Sequence, residues 1–187
     1  SAASDVYKRQ GMSFSFAENQ AFYVPVPANR EEALAIVKKF KQIIENEKTL
    51  KIGQNIKYDM LVLGNYGVEV RGPMFDTMIA HYVLQPELHH GMDYLAEVYL
   101  KYETIKIEEL IGPKGKNQKN MRDLPPTSVY KYACEDADVT LKLKKVLEKE
   151  LIENNVNELF QTIEMPLVPV LAYMERNGVR IDTEALK

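Results

Sequence analysis

The stretch GQNIKYDMLVL, residues 53–63, decides how this chain is read. It follows LKIG, a short apolar run with the pattern of a buried strand, and opens a helix from about Asn55 to Gly64. Asn55 and Asp59 are spaced i,i+4 and share one helical face, with Tyr58 beside them. Two readings are open at this point. Asn55 is a helix N-cap and nothing more, or an amide and a carboxylate make a polar site at a strand's carboxyl end, where α/β sheets hold ligands.

Upstream, GMSFSF and AFYVPV alternate apolar and polar residues around AENQ, which predicts an antiparallel hairpin ended by Pro25 and Pro27. REEALAIVKKFKQIIENE then places Ala33, Leu34, Val37, Phe40, Ile43 and Ile44 on one stripe, an amphipathic helix with Asn29 as N-cap. Downstream, GVEV between Gly67 and Gly72 reads as a short strand, and FDTMIAHYVL as a helix that Asp76 caps or enters. MDYLAEVYL is a further short helix, and IGPKGKNQKN a basic loop. After Pro125 and Pro126 a long helix runs from about Thr127 to Glu153. A last helix spans about Val156 to Arg176, with Pro166 and Pro169 set to bend it and Asn177-Gly178 to close it. Strands early and helices late predict an α/β domain with a small mixed sheet.

With 187 residues there is room for one domain and a fragment. The net charge of −3 excludes a broadly basic nucleic-acid coat. A single cysteine, Cys134, excludes an internal disulfide and fits a reducing cytosol, and no apolar run has the length of a membrane span. SAASDVYKRQ, residues 1–10, has neither strand alternation nor a helical stripe and reads as a foreign or disordered tail. IDTEALK stops as a helix begins, with Asp182 placed as an N-cap, so the chain reads as cut at both ends.

A second stretch, KYACEDAD (residues 131–138), gathers three acids. On a helix, Tyr132 and Asp136 share a face while Glu135 and Asp138 point elsewhere. Alone, the pattern is common, and acids near a helix start are favoured by the helix dipole. The histidines His81, His89 and His90 lack metal-ligand spacing and read as surface or capping residues. Asp76 and Asp93 read as helix caps, and Cys134 as a packed small residue. In the basic loop, Lys114, Lys116, Lys119 and Arg122 read as a solvated stretch that could track a DNA backbone, without P-loop spacing.

Together, GQNIKYDMLVL and YKYACEDADVT resemble the second and third motifs of the 3′→5′ proofreading exonuclease domain of bacterial DNA polymerase I, a tyrosine-type four-acid exonuclease family. FDTMIAHYVL, HGMDYLAEVYL and IEELIGPKGKNQ match that family's intervening segments in order, and EMPLVPVLAYMERNGVRID resembles the junction where the polymerase domain begins. The resemblance implies a ribonuclease H-like fold, a mixed sheet flanked by helices. It implies Asp59 and Asp136 as ligands of Mg²⁺ or Mn²⁺, and Tyr132 as the residue orienting the attacking water. It also implies that Asn55 helps hold the site and the terminal nucleotide, with Gln54 and Tyr58 as further substrate-side candidates. The chemistry suits the residue types: hard oxygen ligands hold two ions about 4 Å apart that clamp the attacking and leaving oxygens. The implied partners are a frayed DNA 3′ end and a polymerase domain in cis, in a monomeric protein of the bacterial cytoplasm.

The chain departs from the family at its first motif, D-x-E, expected on the strand before the hairpin. Residues 1–10 contain only Asp5 among acids, so that strand and half the metal ligands are expected to be missing and the fragment nearly inactive. The domain reading is a tail over 1–10, the exonuclease domain over 11–160, and a linker with the start of the polymerase over 161–187. Two rivals remain: a non-catalytic scaffold domain of a polymerase, and an RNA-trimming exonuclease of the same family.

Overall fold

A computed structural model describes residues 11–113, 118, 119, 121, 124–178, 180, 184 and 185. Strands β1 (Gly11–Ala17) and β2 (Gln20–Pro25) form the expected antiparallel hairpin, with Met12 opposite Val24 and Phe14 opposite Phe22. Helix α1 (Arg30–Lys39) starts at Asn29, whose Oδ1 accepts from the Glu31 and Glu32 N–H groups at 2.9 and 3.1 Å. The predicted single helix through residue 47 breaks at Phe40, which stacks on Phe14 with centroids 5.0 Å apart, and resumes as α2 (Lys41–Ile44). Ile43, placed on the apolar stripe by periodicity, is exposed after that break.

Strand β3 (Lys51–Gly53) leads into α3 (Ile56–Gly64). Its partner is β4 (Met74–Asp76), which pairs in parallel with Ile52 opposite Phe75. The strand predicted at GVEV is absent. Val68 N–H returns to the Leu63 carbonyl at the end of α3, and Glu69 N–H goes to the Glu45 carboxylate, so no ladder forms. Gly67 and Gly72, both at positive φ, turn the chain at each end of this piece. At Gly72 a Cβ would also strike the Glu47 backbone at 2.7 Å, so glycine is required there.

Helix α4 (Thr77–Leu84) follows β4 directly, then α5 (Met92–Leu95) runs on into a π-helical turn, Ala96–Leu100. Short α6 (Ile107–Ile111) precedes the long α7 (Pro126–Glu153). Pro126 opens α7, at the end of a helix where a missing N–H costs nothing. The last helical segment comprises α8 (Asn157–Leu159), a π-helical turn (Phe160–Glu164) and α9 (Met165–Asn177), closed by Gly178 at φ 72°. The wide turn lies just ahead of Pro166, where a tight one would press the proline ring on a carbonyl.

Among the described residues the strands make two two-stranded sheets, one antiparallel and one parallel, rather than one mixed sheet. Residues 1–10, where the family's first strand is expected to be missing, lie outside the described residues, as do Asp182, Lys114, Lys116 and Arg122. Helix α7 packs on β1, β2, β3 and α4, and so spans both sheets. One core gathers Leu143, Leu147 and Leu151 of α7 with Phe75, Leu95, Phe160 and Val168. A second core joins Met12, Val26, Val37 and Val68. Helix α3 touches both, through Ile56 at its start and Leu63 at its end.

Candidate nuclease site

The first site segment is fixed by a carboxylate outside it. Asp76, 1% exposed, accepts from Asn55 N–H at 3.2 Å and Ile56 N–H at 2.6 Å, closing the start of α3. The same carboxylate accepts from Met78 and Ile79 N–H at 2.9 and 3.2 Å, closing the start of α4. Burial pushes its carboxyl above the usual range, and the four N–H bonds pull it back. Asp76 is therefore the cap that the sequence suggests, and it caps two helices. Because it serves the backbone, Asn55 does not have to. Asn55 holds a left-handed conformation (φ 62°, ψ 53°), its side chain makes no cap bond, and the residue is exposed.

Asp59 lies half-buried in the first turn of α3, beside exposed Tyr58. Gln54 is tied inward. Its Nε2 donates to the His90 carbonyl at 2.8 Å, and its Oε1 accepts from the Thr77 hydroxyl. Such bonds make Gln54 a brace between the strand end and the 85–91 segment.

The second segment lies on α7, and its three acids do three different things. Glu135 accepts from the Tyr102 hydroxyl at 2.5 Å and from Ile105 N–H at 2.7 Å, anchoring the chain after the π-helical turn. Asp138 accepts from Asn19 N–H and Lys142 Nζ, both at 2.6 Å, and holds the hairpin tip. Asp136 is hydrogen-bonded to Tyr132, its i,i+4 neighbour. Burial, then the charges of Glu135 and Asp93, push the Asp136 carboxyl up to about 7, against the Tyr132 bond. Burial first, then Asp136 and Asp93, holds the Tyr132 hydroxyl well above its ordinary range, so it stays protonated and donates.

Asp93 corrects the sequence reading. Gly91, not Asp93, occupies the N-cap of α5, and the Asp93 carboxylate accepts from the Thr104 hydroxyl at 2.9 Å. Its charge acts on both Tyr132 and Asp136, and no local pattern in the sequence announces this. His81 is a second correction. It is 1% exposed, shares a 2.7 Å Nδ1–Nδ1 contact with His90, and packs edge-on against Tyr94 and Tyr99. Its apolar neighbours at i−3 and i+3, Met78 and Leu84, are the signal that could have placed it inside.

A cleft of about 730 Å³ opens on the other side of α7, between the hairpin tip and Tyr102, with Cys134, Glu135 and Asp138 in its wall. None of Asn55, Asp59, Tyr132 and Asp136 lines it. Its acids are engaged, Glu135 and Asp138 by the bonds just described and Glu18 by Lys145, so the cleft is a seam between elements.

Over residues 1–152 the sequence matches the family model described as 3'-5' exonuclease. The chain belongs to that exonuclease family. It is 38% identical over 180 residues to DNA polymerase I of Borreliella burgdorferi, covering 95% of this chain and 19% of the relative. To DNA polymerase I of Pseudomonas aeruginosa it is 40% identical over 187 residues, covering 94% of this chain and 20% of the relative. The exonuclease-family chain thus spans about a fifth of the length of these curated relatives. Among solved structures it resembles a nuclease in its apo form (TM-score 0.70, 20% identity, covering 91% of this chain and 79% of that one). It also resembles Brucella melitensis NrnC bound to pGG (TM-score 0.68, 18% identity, covering 90% and 78%). These likenesses show the fold, α/β and ribonuclease H-like as expected.

The donor chemistry at Asp136 fits a hard divalent cation: a partly desolvated carboxyl pressed by two neighbouring negative charges is relieved by positive charge. A full ligand set is another matter. Among the described residues no group of three or more His, Cys, Asp or Glu side chains is arranged to hold a metal ion. Among the described residues, no helix is long and apolar enough to cross a membrane.

Proposed function

We propose that the chain is the proofreading exonuclease portion of a DNA polymerase I, built to hydrolyse nucleotides from a DNA 3′ end. The Tyr132–Asp136 pair carries this reading: a protonated phenol bonded to a carboxyl that its surroundings make avid for positive charge. Asp136 and Asp59 would hold Mg²⁺ or Mn²⁺, completed by carboxylates of the D-x-E type. When bound, the ions supply positive charge at the attacking and leaving oxygens. The chain's own residues do the rest. Tyr132, its O–H held by Asp136, aligns the attacking water by accepting a hydrogen bond from it on the phenol oxygen. Asn55, exposed and relieved of capping, offers its amide to the terminal nucleotide, and exposed Tyr58 offers a ring for stacking. Gln54 acts through position, bracing the turn that presents Asn55.

The sequence has no D-x-E ahead of the hairpin, so hydrolysis by the 187-residue chain is expected to be close to nil. The parent is proposed as a monomer of the bacterial cytoplasm. An RNA-trimming role draws some support from the likeness to NrnC bound to pGG, but the relatives at 38 and 40% identity are DNA polymerases I. The test is to place the D-x-E strand of the Pseudomonas relative ahead of Gly11 and follow Mg²⁺-dependent release of 3′ nucleotides from single-stranded DNA and from a short RNA. DNA degradation that Asp136→Ala and Asp59→Ala abolish is expected. A folded but inert fusion would sink the site assignment, and a preference for RNA would move the function to the rival.

A further inference from the structure

Helix α9 has two apolar sides. Met165, Val168 and Ala172 face inward and are buried, with Met165 and Val168 in the core built around α7. Leu167, Val170, Leu171 and Met174 face outward, 40 to 59% exposed, and Tyr173 beside them is 70% exposed. Their spacing, i, i+3, i+4, i+7, is that of a helix face made for packing. A surface helix in water carries a polar outer face, and one apolar on both sides is covered on both. Ile163, 56% exposed, extends the patch into the π-helical turn.

Where α9 lies in the sequence identifies the cover. The exonuclease family match stops at residue 152, before this helix. Similarity to the DNA polymerase I relatives nevertheless takes in 94 to 95% of the chain, yet only 19 to 20% of each relative. The helix therefore belongs to what those longer proteins share beyond the exonuclease unit. It is also held firmly: Arg176 Nη2 donates to the Gly64 carbonyl at 3.1 Å, and Lys57 pairs with Glu175 at 2.8 Å. Both ties reach α3, the helix that carries Asp59.

We propose that the outward stripe Leu167–Val170–Leu171–Met174 is a docking face for the polypeptide that follows this region in the DNA polymerase I relatives. Helix α9 is then a shared wall, with the exonuclease core on one side and the following domain on the other. The inference rests on the reading of the parent as a DNA polymerase I and needs no hydrolysis.

The test compares the 187-residue chain with the same chain continued by the downstream polypeptide of the Pseudomonas relative, using side-chain footprinting by a photo-generated carbene. Labelling of Leu167, Leu171 and Met174 is expected to fall several-fold in the longer protein, while Phe16 on the hairpin is unchanged. A triple variant, Leu167→Lys, Val170→Lys and Met174→Lys, keeps the short chain folded, because these side chains lie in water there. In the longer protein it restores labelling of Leu171 and lowers Tm. Equal labelling of short and long proteins overturns the proposal. So does a short chain that is already a dimer with the stripe protected, since the cover is then a second copy. Because footprinting reads contact and not activity, a covered stripe on an inert enzyme refutes only the nuclease reading.

Discussion

Replacing Asp136 by Asn should stabilise the metal-stripped chain at high pH and lose most of that effect in acid. The folded environment holds this carboxyl at about 7, against 3.8 for an ordinary aspartate. A difference of about 3 units at 1.36 kcal/mol each gives a ceiling of about 4 kcal/mol. Asp136 keeps part of its surface in water, and solvent screening brings the expected effect to about 2 kcal/mol. The direction follows from the raised folded value. Folding favours the protonated acid, so the group's contribution is full below the unfolded pKa near 3.8 and is lost as pH rises through 7. At pH 8 the wild type must fold with a charged carboxylate between Glu135 and Asp93, while Asp136→Asn does not, and its amide oxygen still accepts from Tyr132. Urea titrations in EDTA at pH 8 and pH 5 measure the difference. The variant should lead by about 2 kcal/mol at pH 8, and the lead should shrink by more than half at pH 5. Other titrating groups, His81 included, are common to both proteins and cancel. Mg²⁺ at pH 8 should then stabilise the wild type and leave the variant unmoved. A lead of equal size at both pH values, or a variant less stable at pH 8, would refute the electrostatic account of the site.

Asp76→Ala leaves the buried Ile56 N–H and three partly buried N–H groups without their acceptor, and at about 1–3 kcal/mol for each group left unpaired the loss takes most of what a small domain has, so circular dichroism should show a largely unfolded chain. Burial and His90 hold the His81 ring below its usual pKa, so its contribution is present above about pH 6.5 and lost as pH falls. Thermal melts between pH 7 and 5 should therefore fall more steeply for the wild type than for His81→Phe, and parallel curves would remove His81 as the cause. At position 55, Ala should cost about 1 kcal/mol in stability and Gly less, because only Ala is strained at φ 62°. With D-x-E restored, both should lose activity alike, and an active Gly variant would show that Asn55 matters only for its backbone.

Local chemistry made much of this protein legible. Asn29, the stripe of α1, the hairpin and the long α7 follow from caps and periodicity, and the i,i+4 spacing alone separated Asp136 from Glu135 and Asp138. What stayed hidden depends on distance in sequence. GVEV has better strand character than MFD, but an edge beside β3 exists only at residues 74–76, and pairing, not propensity, decides. The bond from Asp93 to Thr104 and the reach of Asp76 back to Asn55 close over tertiary structure, where no window of sequence can display them. The likeness to a family singled out Asp59, Tyr132 and Asp136 as candidates at once, while spacing alone left each motif ambiguous.

The double duty of Asp76 also bears on how the protein forms and opens. A helix start is the costly step of helix growth, and here two starts wait on one side chain. The start of α3 cannot close until β4 has been laid beside β3, and in the folded chain the same carboxylate also holds the start of α4. Ile56 and Met78, 22 residues apart in the chain, should therefore exchange their amide protons through one opening event with one free energy. A nucleotide seated on Asn55 would raise that barrier for both helices together, so binding at one end of the fold would be felt as slower breathing at the start of α4.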